Sequence, residues 1–168
     1  KGKCSLNESE HYLIIPSFSP ENKPFGYHSA ITANAAMDIS AAKDVINMYT
    51  EMLNYTKVDG YEQAVSEAEA LLRMLPDFMY DESGAVKEWS MKEYGENNAH
   101  RHISHLYPAW PALQTQHDSK LASACRQAII NRNHENKGKD DTASHGWIHK
   151  ALVEARLKNA DAVYDTLN

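Results

Sequence analysis

The stretch ANAAMDISAAKDVINMYTEMLNY, residues 33–55, decides how the chain is read. Met37, Ala41, Val45, Met48, Met52 and Tyr55 recur at steps of three and four, the spacing of one helix face. Ile39, Ala42, Ile46, Tyr49 and Leu53 form a second stripe beside the first. An apolar face this wide predicts a long helix buried between two layers of helices.

Working outward, residues 57–60 make a turn, and a second helix is predicted over 61–75. Its inward positions are Val65, Ala68, Leu71, Leu72 and Leu75, and Pro76 stops it. Upstream, residues 1–30 lack helical spacing. Tyr12 to Ile15 suits a short extended run, and Pro16, Pro20 and Pro24 stiffen the loop that follows. From Pro76 to about Gln116 there is little periodicity, and so long a stretch inside a compact domain points to a functional loop. Asp118 is placed to cap a helix carrying Leu121, Ala124, Cys125, Ala128 and Ile129. A polar turn over 131–141, a helix over about 142–158 and a last helix capped by Asn159 complete the chain. The expectation is one all-α domain over residues 1–168, with about five helices, long loops and no sheet.

Composition narrows the partners. The chain has 168 residues, 42% hydrophobic and 24% charged, which fits a globular domain with its own core. A net charge of -6 argues against nucleic acid, whose phosphates require a basic face. No apolar run reaches the roughly 18–20 residues of a membrane span, so no membrane is expected. The first residues lack the apolar core of a signal peptide. Two cysteines, Cys4 and Cys125, are too few for a disulfide framework, and Cys125 sits on an apolar helical stripe.

The chemistry concentrates in His100-Arg101-His102-Ile103-Ser104-His105, followed by Tyr107, Pro108, Trp110 and Pro111. Prolines beside a histidine cluster make a shaped loop rather than a helix interior. Histidine and arginine together suit the holding of hydroxyls or a carboxylate by directed donors. The pattern departs at one position from a His-x-His-x-Asp-His zinc signature. Ser104 replaces the acid and the chain lacks that fold's strands, so no metal and no cofactor is expected. Two carboxylates stand out: Glu21 between Pro20 and Asn22, and Glu88 beside Trp89. A carboxyl against an apolar wall has its pKa raised, as a general acid at neutral pH requires. Trp89, Tyr94, Tyr107, Trp110 and Trp147 together are candidate sugar-stacking walls, though any one alone reads better as a core anchor.

These segments, taken in order, resemble glycoside hydrolase family 95, the inverting α-L-fucosidases and related α-L-galactosidases. The resemblance rests on Pro16-Ser17-Phe18-Ser19-Pro20-Glu21-Asn22, Met37-Asp38 near the start of the long helix, and Gly84-Ala85-Val86-Lys87-Glu88-Trp89. His100 to Leu106 with Tyr107-Pro108, and then Gly146-Trp147, continue it over about residues 12–167. It implies part of an (α/α)6 toroid with a pocket for a terminal fucose or L-galactose of a fucosylated glycan, in an extracytoplasmic enzyme. Glu21 would be the general acid, with Glu88 in reserve. Asn22, Trp89, Arg101, His102, His105 and Trp147 would bind substrate. Departures accompany it: the family's water-activating groups have no counterpart here, and a toroid needs twelve helices. The isolated chain is therefore expected to be inactive, and self-association or docking to the rest of a parent enzyme is expected. Two other readings stand beside the hydrolase, a non-catalytic helical domain binding carbohydrate or protein, and a zinc hydrolase.

Overall fold

The computed structural model describes residues 10–137 and 143–168; Cys4 and the proposed turn residues 138–141 lie outside them. Five helices carry the fold: α1 (Ala36–Thr56), α2 (Tyr61–Met74), α3 (Ser119–Asn136), α4 (Ser144–Arg156) and α5 (Ala160–Leu167). The expected absence of sheet needs one correction. Ser17–Phe18 (β1) and Ile31–Thr32 (β2) pair antiparallel, too short a ladder for period-two patterning to reveal.

Local signals placed most helix ends. Asp118 caps α3 by accepting from the Leu121 N–H at 2.9 Å. Asn159 caps α5 by accepting from Ala162. Lys57 closes α1 in the left-handed conformation, its N–H on the Leu53 carbonyl. The polar turn expected from residue 131 is instead the last turn and a half of α3, which runs on to Asn136. Tertiary partners sustain that polar end: Asn131 donates to Ser83 Oγ at 2.9 Å, and Arg132 is buried.

The core is assembled from α3, α4 and the long loop. Leu121, Cys125, Ala128 and Ile129 of α3 meet Val153 and Leu157, and the loop adds Ala85, Val86, Ile103, Leu106 and Ala109. Gly84, at φ 82°, turns the loop so that the Ala85 N–H reaches Asp81 Oδ1 at 3.0 Å. The two-sided burial expected for α1 does not hold within this chain. Only Ala36, Ile39, Ser40 and Leu53 of the helix are buried, while Val45, Met48, Met52 and Tyr55 face outward. Among the described residues no helix is long and apolar enough to cross a membrane.

Candidate functional site: a carboxylate loop seated on a buried ion pair

The loop bearing Glu21 is tied down at its base. Ser17 Oγ donates to Asp38 Oδ2 at 2.6 Å and accepts from the Ala35 N–H at 2.8 Å, joining the loop to the first turn of α1. Asn34, in a left-handed conformation, accepts from the Ile14 N–H through Oδ1 and from the Ser90 N–H through its carbonyl, both at 2.8 Å. The 12–35 and 86–98 segments are thereby stitched together beside α1.

Beneath the tip lies Glu88, with no exposed surface. Its Oε1 accepts from Ser19 Oγ at 2.6 Å, and its Oε2 from Asn22 Nδ2 and Arg132, both at 2.7 Å. Burial pushes this carboxyl's pKa up. The Arg132 guanidinium, His105 and the hydrogen bonds from Ser19 and Arg132 outweigh that and hold it below the ordinary carboxylate value. His105 is also buried, 4.0 Å from Glu88, and burial drives its pKa down to about 3 despite the neighbouring carboxylate. An uncharged imidazole adds no charge at neutral pH, so Arg132 is the cation that keeps Glu88 ionised. Arginine only donates, so the 3.4 Å approach of Arg132 to His105 Nδ1 makes that nitrogen the acceptor and puts the ring proton on Nε2.

Glu21 has the opposite setting. Its side chain is 61% exposed at the loop tip, paired with Arg101 and 3.4 Å from His102 Nε2. Ser104 Oγ donates to the Pro20 carbonyl at 2.5 Å, so the His-Arg-His loop grips the peptide immediately before Glu21. His102 stands between His100 and His145, with ring centroids 5.4 and 5.3 Å away. His145 comes from α4, as does His149, whose ring lies 5.1 Å from Trp110. Burial lowers the pKa of His149.

Several expected positions change role. Glu88 is a poor reserve for the acid, since its proton is disfavoured and both oxygens are engaged inside the core. Trp89 is fully buried and offers no stacking face. Asn22 is 1% exposed, its amide spent on Glu88 and on the Asn97 carbonyl. His105 is 1% exposed, packed beside Glu88 and Arg132 in the core. Trp147 is exposed but lines a separate hollow with Ser144, Ile148 and Leu167. His100, His102 and His105 do not converge, and among the described residues no group of three or more His, Cys, Asp or Glu could hold a metal ion. Arg101 and His102, expected from the resemblance to bind substrate, both meet Glu21.

Three residues escaped the sequence reading. Arg132 and His145 reach the site from helices. Glu96 accepts from the Glu88 N–H at 2.8 Å, and burial, helped by the charge of Glu88, pushes its pKa to about 7. No motif around Glu96 announced this burial beside Glu88.

These shifts fix how stability depends on pH. Between about pH 3 and 4.3 the unfolded chain carries protons on Glu88 and His105 that the native chain resists, so stability falls as the pH is lowered. Between about 4.3 and 6.5 the unfolded chain still protonates His105 and His149, whose native pKa values burial lowers, while native Glu96 retains a proton the unfolded chain has lost. Glu96 opposes the two histidines, so stability should still fall with acid in this range, more gently than below about pH 4.3. Urea unfolding at pH 7, 5 and 3.5 checks this, and His105→Gln should make the acid slope shallower.

The family model described as the glycosyl hydrolase family 95 catalytic domain matches residues 4–168. The chain belongs to that family. Its mostly helical architecture agrees with a piece of the helical toroid expected from the resemblance. Alpha-L-fucosidase 2 of Arabidopsis thaliana is 26% identical over 156 residues, a match covering 89% of this chain. The chain matches 17% of that relative's length. The family 95 segment seen here thus contains the loop of Glu21, the loop of Arg101 and His102, and the buried pair beneath them.

Proposed function

We propose that this segment forms the acid-bearing wall of the sugar pocket in an inverting α-L-fucosidase-type hydrolase. The observation that carries the reading is the contrast between two glutamates. Glu88 is buried and held ionised, whereas Glu21 is presented to solvent between Arg101 and His102. Glu21 is the general acid for the departing glycosidic oxygen. Arg101 and His102 hold it between turnovers and bind sugar hydroxyls when substrate arrives. Terminal α-L-fucose or α-L-galactose is the substrate class. Inversion requires a second group about 6.5–9.5 Å away that activates water on the opposite sugar face. Glu88 cannot serve, because its oxygens are spent inside the core.

The test uses a full-length enzyme carrying this segment and an α-L-fucosyl disaccharide, with the first-formed anomer followed by proton NMR. The β-anomer should appear first, and an initial α-anomer would remove the inverting mechanism. The 168-residue chain alone should show no turnover. Turnover by it that vanished in Glu21→Gln would mean both sides of the pocket lie within these residues.

A further inference from the structure

We propose that Arg132, in the last turns of α3, is a positioning residue for Glu21, acting through the Glu88 carboxylate and the Asn97 carbonyl. This rests on the reading of Glu21 as the general acid, and it assigns the device that aims it.

The first route runs through the carboxylate. Arg132 donates to Glu88 Oε2 at 2.7 Å, and Glu88 accepts from Ser19 and Asn22, which flank the Pro20–Glu21 dipeptide. The loop tip is therefore held from both sides by one group. The second route runs through Asn97. Arg132 Nη1 donates to the Asn97 carbonyl at 3.3 Å, and that carbonyl also accepts from Asn22 Nδ2 at 3.0 Å. The Asn97 amide then donates to Asn22 Oδ1 at 3.0 Å and to the Lys23 carbonyl at 3.2 Å. The first route ends on Ser19 and Asn22, either side of Pro20–Glu21, and the second on Asn22 and Lys23 just after Glu21. Arg132 itself is 3% exposed, with its terminal nitrogens on Glu88 and the Asn97 carbonyl, so it acts on Glu21 through these groups rather than by touching substrate.

Only arginine satisfies both routes. Its fork supplies two terminal nitrogens at fixed separation, whereas a lysine ammonium is a point donor that reaches one acceptor well. Arg132→Lys thus keeps the charge opposite Glu88 and loosens the geometry. Arg132→Met removes the charge as well. Displacement by about 1 Å, caused from a distance, can lower turnover about a hundredfold.

The experiment has two arms. In the 168-residue chain, amide exchange of Asn22, Lys23 and Phe25 should quicken at least about tenfold in Arg132→Lys, while α1 amides hold their rates. In the full-length enzyme, kcat on an α-L-fucosyl disaccharide should fall about a hundredfold, with KM within about threefold. An aryl fucoside with a good leaving group should lose less than about tenfold, because it scarcely needs the proton. Adding Arg132→Lys to Glu21→Gln should cost nothing further. If Arg132→Met does not fold, the lysine variant still decides. Unchanged exchange around Asn22, equal losses on the two substrates, or full additivity with Glu21→Gln would each overturn the proposal. An unmodified enzyme inactive on both substrates would overturn the hydrolase reading instead, and the exchange arm would still decide the clamp.

Discussion

Glu21→Gln in the full-length enzyme is expected to slow hydrolysis of an α-L-fucosyl disaccharide about a thousandfold, the middle of the range for losing a general acid. The amide is isosteric and still meets Arg101 and His102, so KM should change little. An aryl fucoside, whose leaving group departs without a proton, should lose far less. That contrast separates loss of a proton donor from loss of a shape, because misplacing the sugar would slow both substrates. The control is Glu88→Gln. A neutral side chain there still meets Ser19 and Asn22 but weakens the hold of Arg132. If Glu88→Gln showed the leaving-group dependence and Glu21→Gln did not, the two glutamates would have to exchange roles.

The second large effect is on stability. Glu88→Leu should destabilise the fold by roughly 3–5 kcal/mol, because it leaves the Arg132 guanidinium buried without its counter-charge. Ser19 Oγ and Asn22 Nδ2 lose their acceptor in the same step. The double variant Glu88→Leu with Arg132→Met should recover most of that loss, since a buried ion pair is often replaceable by apolar groups of similar volume. Denaturant midpoints of the single and double variants form the cycle. Recovery of stability without recovery of the Glu21 loop would show that the pair serves geometry more than cohesion.

What could be read in advance follows from range. The long helix, the Asp118 and Asn159 caps and the stop at Pro76 depend on residues within a turn or two of each other. Each was legible from spacing alone. The proline-rich loop and the His-Arg-His loop stood out as shaped loops for the same local reason, and the fold brings Arg101 and His102 to Glu21. The role of Glu88 was not legible. Its neighbour Trp89 suggested an apolar wall and a raised pKa, but its actual partners lie 69, 66 and 44 positions away. Arg132 was missed because Asn131 to Asn136 reads as a polar turn, and the contacts that keep it helical come from elsewhere in the chain. The buried faces of Trp89 and Asn22 were missed likewise, since burial is a property of the assembled layers.

Those same separations order events in time. Contacts between residues far apart in sequence form late, after the intervening chain has been organised and the entropy of closing the loop overcome. Ser19 and Asn22 reach Glu88 only across the whole of α1 and α2, and Arg132 arrives from beyond them. The helices can therefore be in place while the Glu21 loop is still unmoored. During refolding, helical dichroism should recover before sugar recognition does, and a cut in the chain between α2 and Glu88 would leave a helical body with nothing to aim.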